Sequence, residues 1–302
     1  MTAQVEDLEQ QKKKRELYII ITCSLQNDFL EPLDKTIIED TKDSLKLNYE
    51  DCQDGWITYF ADKNMDLSSF TVEPFLKWIK TSSRSERKDV QVSYHKIIEK
   101  YKHRVHVDFK ETTRFWKDGN FEKIITDLMN KGAEANSKED NLETYHLIHC
   151  RDWHDPTDLT QKRELDHFGP HCMKGTYGAK FITPLEELIK NNKDFNLIVN
   201  SNSLSSFTDT NLESVLDTLI KNAGSSKQDV KIGIFGVISN VKVMLLAFEL
   251  SVIQKYKNLF ICGDICAGFN QSGHEEGIYY MKNILDTEIL DPNTFREKFK
   301  FK

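Results

Sequence analysis

Lys231-Ile-Gly-Ile-Phe-Gly-Val-Ile-Ser-Asn-Val-Lys-Val243 is the stretch that decides the fold. Lys231 to Phe235 reads as a continuous apolar strand, the pattern of a strand covered on both faces. Val243 to Ile253 is apolar on nearly all sides, as a helix packed deep in a core would be. Gly236 to Val243 therefore has the form of a strand-to-helix turn, where a side chain points into a crevice and a nucleophile is expected. The residue presented there is Lys242.

Working outward, similar apolar runs recur at Leu17 to Thr22, Tyr145 to His149, Phe195 to Val199 and Leu259 to Cys262, with a weaker one at Glu288 to Leu290. Helical signals lie between them. Thr183-Pro-Leu-Glu186 reads as a capping box with proline at the first helical position, opening a helix through Lys190. Leu212, Val215, Leu216, Leu219 and Ile220 fall on one helical stripe, and Gly224 provides a stop. Strands alternating with helices predict a three-layer, doubly wound α/β domain with a mostly parallel six-stranded sheet, whose ligands would bind outside the carboxyl ends of the strands.

Residues 1–15 are almost wholly polar and read as a leader; residues 16–302 form the α/β domain. Leu33 to Thr144 breaks the alternation. It is long and charged, with amphipathic pieces at Val72 to Ile79, Val92 to Tyr101 and Phe121 to Met129, so it reads as a mainly helical insertion rather than a loop. Trp56, Tyr59, Phe60, Trp78, Phe115 and Trp116 are expected to build a small core of its own.

Composition narrows the function classes. The chain has 302 residues, 39% hydrophobic and 29% charged, with a formal net charge of −7, which offers no electrostatic footprint for nucleic acid. No apolar run is long enough to span a bilayer, and the N-terminus lacks a signal core, so a cytoplasmic protein is expected. The six cysteines fit that compartment. Cys23, Cys150 and Cys262 lie in or beside strand-like runs as small core residues, and no CxxC or zinc-ribbon spacing occurs.

Three loops fall at carboxyl ends of strands, and their motifs run in a distinctive order. Gln26-Asn-Asp-Phe29 follows the first strand and Asp152-Trp-His-Asp-Pro156 the second. His167-Phe-Gly-Pro-His-Cys172, Lys174-Gly-Thr176 and Gly178-Ala179 come next, then the Lys242 turn and Ile261-Cys-Gly-Asp-Ile-Cys-Ala-Gly268. In this order and strand context, from about Leu17 to Leu290, the chain resembles the isochorismatase-like hydrolases, most closely their nicotinamidase branch. The resemblance implies a thiol hydrolase in which a cysteine at the helix start attacks, an aspartate two residues before the glutamine acts as base, and a lysine after the third strand completes the triad. Backbone N–H groups around a cis peptide in the turn, here at Ile238 and Lys242, would form the oxyanion hole.

Every triad position is substituted. Ser24 stands for the aspartate, Ser201 for the lysine and Lys242 for the cysteine, so no covalent thiol route through this turn remains. Asp28 belongs to the adjacent position, which is usually structural in the family. Cys23 and Cys172 occupy no helix start and read as packing residues. What the resemblance leaves intact is a metal-type triplet, Asp152, His154 and His171. Asp152 and His154 alternate in extended chain and can face one way, and carboxylate with imidazole suits zinc, iron or manganese. The competing reading is that these residues are loop-stabilising hydrogen bonders. His167 is a further candidate ligand; the family's occasional extra histidine is absent from Asp158, Leu159 and Thr160.

Lys242 has three readings: a plug paired with Asp28 or Asp152, part of an anion pocket, or an amine nucleophile. The expected function is a nicotinamidase-like protein without cysteine-hydrolase activity that retains a metal site and a small-molecule or anion pocket. A metal-dependent hydrolase is the first alternative. A scaffold binding a protein partner through the insertion is the second. The resemblance implies a homo-oligomer; neither nucleic-acid nor membrane partners are expected.

Overall fold

A computed structural model of the chain describes residues 15–30, 107, 111, 114, 119–137, 142–155 and 157–301. Six strands, β1 (Glu16–Cys23), β2 (Glu143–Asp152), β3 (Asn196–Ser201), β4 (Lys231–Val237), β5 (Asn258–Ala267) and β6 (Glu288–Leu290), form one sheet in the order β3-β2-β1-β4-β5-β6. Every adjacent pair is parallel. All six strands coincide with the apolar runs of the sequence, most of them a residue or more longer. β1 is buried from Leu17 onward, on both faces, which is why its sequence runs apolar without alternating.

The strand order places the reversal of winding between β1 and β4. The chain builds outward from β1 through β2 to β3, then returns to add β4, β5 and β6 on the other side. The crevice outside the carboxyl ends of β1 and β4 is the topological switch point where such sheets bind ligands. Parallel register brings Cys23 level with Cys150 on one side and with Gly236 on the other. The residues after those three positions are thereby neighbours.

The helices are α1 (Asn27–Leu30), α2 (Asn120–Asn136), α3 (Lys162–Phe168), α4 (Thr183–Asn191), α5 (Leu212–Ala223), α6 (Met244–Phe248), α7 (Gln271–Asn283) and α8 (Pro292–Lys298). Wide π turns at Ser239–Val243 and Glu249–Ile253 flank α6, so the helical run after β4 starts earlier than the apolar stretch suggests. α2 lies in the last part of the segment Leu33 to Thr144 and buries Phe121, Ile124, Ile125 and Leu128 in the main core. The amphipathic pieces at Val72 to Ile79 and Val92 to Tyr101, and the aromatic residues Trp56, Tyr59, Phe60, Trp78, Phe115 and Trp116, lie outside the described residues.

Caps fall only partly where the sequence puts them. Gly224 ends α5 with φ 62°, its N–H reaching the carbonyls of Ile220 and Lys221. The capping box at Thr183 does not form: the cap is Ile182, whose carbonyl accepts from Glu186 N at 3.0 Å, and no side chain caps this end. Thr183 is already helical, one residue too far in to act as the cap. At the other end of the sheet the C-terminal segment closes the core. Phe295 and Phe299 pack against each other at 4.7 Å between ring centroids, and the Phe299 carbonyl accepts from the Tyr145 hydroxyl at 3.1 Å.

Candidate functional site

The turn after β4 is held by Gly236, whose φ of 139° favours glycine and whose would-be Cβ lies 2.1 Å from the carbonyl oxygen of Cys23. No other residue lets β4 and β1 approach this closely at the switch point. The Val237–Ile238 peptide that follows is cis, as the resemblance leads one to expect, and the π turn then carries Lys242 into the crevice.

Lys242 is buried and its ammonium donates to Asp152 Oδ1 and to the Ser203 carbonyl, the latter at 2.6 Å. Burial opposes its charge, yet the adjacent carboxylate prevails and raises its pKa. Asp152 is the mirror case: burial would raise its pKa, while the Lys242 ammonium, foremost, holds it below the usual carboxylate range. Ser24, in left-handed backbone at φ 49°, donates its hydroxyl to the same Oδ1 at 3.2 Å. Ser201 does not touch Lys242. Its Oγ lies 2.8 Å from the carbonyls of Ser203 and Ser205 and so shapes the loop whose carbonyl accepts from Lys242. Asp28 is not the lysine's partner. It accepts from Cys172 N at 2.6 Å and packs where a Cβ on Gly178 would stand.

The Gln26-Asn-Asp28 motif clamps the ligand-bearing loops together. Gln26 Nε2 donates to the carbonyls of Asp152 (2.7 Å) and Ala179 (2.9 Å), and its Oε1 accepts from Asp152 N at 2.7 Å. Asn27 donates to the Tyr177 carbonyl at 3.0 Å. A buried primary amide satisfies three backbone groups here, which explains why a glutamine can stand fully buried in this turn.

Asp152, His154 and His171 come together with one donor atom from each within 4.8 Å of the others, all three buried. Their second partners orient them. His154 Nδ1 faces Gln161 Oε1 at 3.1 Å, and Gln161 is in turn held by donating to Asp158 Oδ2 at 2.7 Å. His171 Nδ1 faces the Gly169 carbonyl at 2.8 Å. Both acceptors require the proton on Nδ1, which leaves each Nε2 lone pair aimed inward. Burial pushes the pKa of His154 down and that of His171 down to about 4, keeping both imidazoles neutral.

Sequence reasoning missed Glu164, on α3. Its Oε1 lies 3.8 Å from His154 Nε2 and 4.0 Å from His171 Nε2. Both Glu164 Oε1 and His154 Nε2 are buried with no hydrogen-bond partner, and burial lifts the Glu164 pKa to about 7. Inward-facing unpartnered donors of this kind fit a divalent cation, with Asp152, His154, His171 and Glu164 as the oxygen and nitrogen set. His167, one turn further on, is exposed and stands apart from the cluster, because α3 turns it outward.

A cavity of about 10 Å³, room for roughly one water molecule, lies between the Asp152, Glu164 and His171 wall and the Ile238 and Lys242 wall. Outside it, a cleft of about 730 Å³ opens between α3 and the Asn202 to Ser205 loop, with Arg163 and His167 on its rim and Glu164 and Phe168 shared with the inner cavity. The five described cysteines are buried and form no disulfide. Burial pushes Cys150 and Cys266 up to about 12 and raises Cys23 well above an ordinary thiol, so none of these is a ready nucleophile. Among the described residues no helix is long and apolar enough to cross a membrane.

No protein-family model matches the chain, and comparison with curated proteins returns no match. Solved structures do resemble it. The nicotinamidase/pyrazinamidase PncA from Bacillus subtilis superposes with a TM-score of 0.51 at 13% identity, over 91% of this chain and 100% of that one. An isochorismatase-like hydrolase from Alkaliphilus metalliredigens gives 0.44 at 24% identity, over 60% and 86% of the two chains. A pyrazinamidase of Pyrococcus horikoshii in complex with zinc gives 0.40 at 19%, over 56% and 85%. With its parallel sheet and the site at the switch point, the chain has the isochorismatase-like α/β fold of the nicotinamidase structures.

Proposed function

We propose that the chain is a nicotinamidase-like protein that has lost the thiol hydrolase route and keeps a divalent-metal site beside a pocket for a small or anionic ligand. One observation carries this reading: an ammonium, that of Lys242, stands on Asp152 at the turn where the family's thiol would attack. An ammonium fixed on a carboxylate is a poor nucleophile, and Ser24 supplies no base to free it. Asp152, His154 and His171, with Glu164 beside them, support retention of the metal. Arg163 and His167 on the rim of the outer cleft suit an anionic ligand. Purified protein assayed on nicotinamide and pyrazinamide, alongside metal analysis of wild type and His154→Ala, tests this. Metal content that falls with the substitution, with no turnover by either protein, is the expected result; ordinary enzymatic turnover of either amide overturns it.

Glu164 favours a second reading, a metal-dependent hydrolase. A divalent ion supplies Lewis acidity toward a carbonyl oxygen. The Glu164 carboxyl, with Oε1 3.8 Å from His154 Nε2 and 4.0 Å from His171 Nε2, is placed to take or give a proton beside such an ion. Turnover in a broad ester and amide screen that is abolished in both His154→Ala and Glu164→Gln would select this reading over the first.

A further inference from the structure

Asp152 is a buried carboxylate with two different tasks on its two oxygens. Oδ1 receives the Lys242 ammonium and the Ser24 hydroxyl, while Oδ2 faces His171 Nε2 at 3.8 Å. A buried carboxylate without a cation is costly, and Lys242, itself buried, supplies that cation from within the chain. The other ligand-side atoms, His154 Nε2 and Glu164 Oε1, have no hydrogen-bond partner at all. Two positive charges can therefore compete for, or share, one anion: the tethered ammonium on Oδ1 and a divalent ion among Oδ2, the imidazoles and Glu164.

We infer that Lys242 is a built-in cation that balances Asp152 in the metal-free protein and weakens divalent binding at Asp152, His154 and His171. This inference rests on the metal reading above. It goes beyond the plug and nucleophile readings: besides pairing with Asp152, the side chain sets how tightly metal binds. Removing the charge has two linked consequences. The metal-free protein loses the partner of a buried carboxylate and becomes less stable. The same loss leaves Asp152 wholly available to the ion, and the mutual repulsion of two neighbouring cations disappears. Metal binding then restores what the substitution removed, because a ligand that binds only the native state stabilises it.

The experiment measures zinc and manganese affinity, by calorimetry and chelator competition, for wild type, Lys242→Met, Lys242→Gln, Lys242→Arg and His154→Ala. Thermal unfolding is followed in EDTA and in excess metal. Loss of the lysine charge should tighten metal binding at least about tenfold, the scale of repulsion between adjacent cations even with full water screening. The metal-induced rise in Tm should be larger for the Met and Gln variants than for wild type, and Lys242→Arg, which keeps the charge, should stay close to wild type. Wild type that binds no metal while Lys242→Met or Lys242→Gln does also supports the inference. Equal affinity of wild type and both neutral variants overturns it and leaves the metal reading standing. Failure of both neutral variants to fold even with metal present overturns it as well, since metal should replace the lost cation. If no variant binds either ion, or if His154→Ala binds as wild type does, the metal reading itself fails.

Discussion

The Lys242 ammonium rests on Asp152 Oδ1, joining residues ninety positions apart at the carboxyl ends of β4 and β2. Both side chains are buried, at 4% and 2% exposure, so the pair differs in kind from the surface ion pairs of this protein such as Lys162–Asp166. Buried pairs are costly to break one partner at a time, whereas exposed pairs contribute little.

Asp152→Asn in metal-free protein should therefore destabilise the fold by about 3–5 kcal/mol, because it leaves Lys242 buried without its anion. Adding Lys242→Met to Asp152→Asn should cost clearly less than the sum of the two single changes. Urea denaturation in EDTA, arranged as a double-mutant cycle, measures this. Additive single effects would mean that the two groups do not compensate one another.

Gln161 offers a test of the proposed metal site without touching any of its candidate ligands. It orients His154 through Nδ1 and is itself held by Asp158. Gln161→Leu should weaken zinc binding by about 10–100-fold, the usual effect of removing such a support, while leaving the chain folded. Chelator competition gives the affinity and far-UV circular dichroism the fold.

The metal-free protein should gain stability as pH rises from about 4 toward 7, with three histidines driving the rise and Glu164 opposing it. His146, His149 and His171 are pushed down to about 4 from 6.5, by burial foremost. The unfolded chain thus binds protons that the native state does not, and stability is lost as pH falls from about 6.5 toward 4. Glu164 is the reverse: burial lifts it from 4.5 to about 7, so the native state binds the extra proton and this group's contribution is lost as pH rises from about 4.5 through 7. Glu164→Gln should remove this opposing contribution and steepen the rise of stability between about pH 4.5 and 7. Denaturation curves in EDTA across pH 4 to 8 check this, and an unchanged slope in the variant would remove Glu164 as a contributor.

Two glycines with positive φ should respond very differently to a methyl group. Gly236→Ala drives a Cβ to 2.1 Å from the Cys23 carbonyl oxygen at φ 139° and should cost about 4 kcal/mol or more, parting β4 from β1 at the switch point. Gly175→Ala, at φ 84° with no atom within 4 Å, should cost only about 1–2 kcal/mol of backbone strain. Parallel denaturant titrations of the two variants give the comparison.

Much of the architecture was legible in the chain because burial on both faces leaves continuous apolar runs, and each of the six strands carries one. Motif order was legible for the same reason: the loops after those runs must emerge at one end of a parallel sheet. Local capping was less legible. Thr183 and Glu186 satisfy the pattern of a box, yet the helix begins with Ile182 as its cap, because tertiary packing sets the first turn.

The sequence by itself determined that a lysine stands where a nucleophile was expected, that Ser24 and Ser201 accompany it, and that Asp152, His154 and His171 lie at and beyond the end of the second strand in a ligand-like order. Those are properties of residue type and spacing. Only the tertiary structure decided that Lys242 meets Asp152 and not Asp28, that Ser201 holds a loop and not the lysine, that His167 faces away, and that Glu164 joins the two histidines. Such pairings depend on strand register across the switch point and on which side of a short helix is buried. Neither is written in the spacing of residues along the chain, because each is fixed by the packing of segments far apart in it.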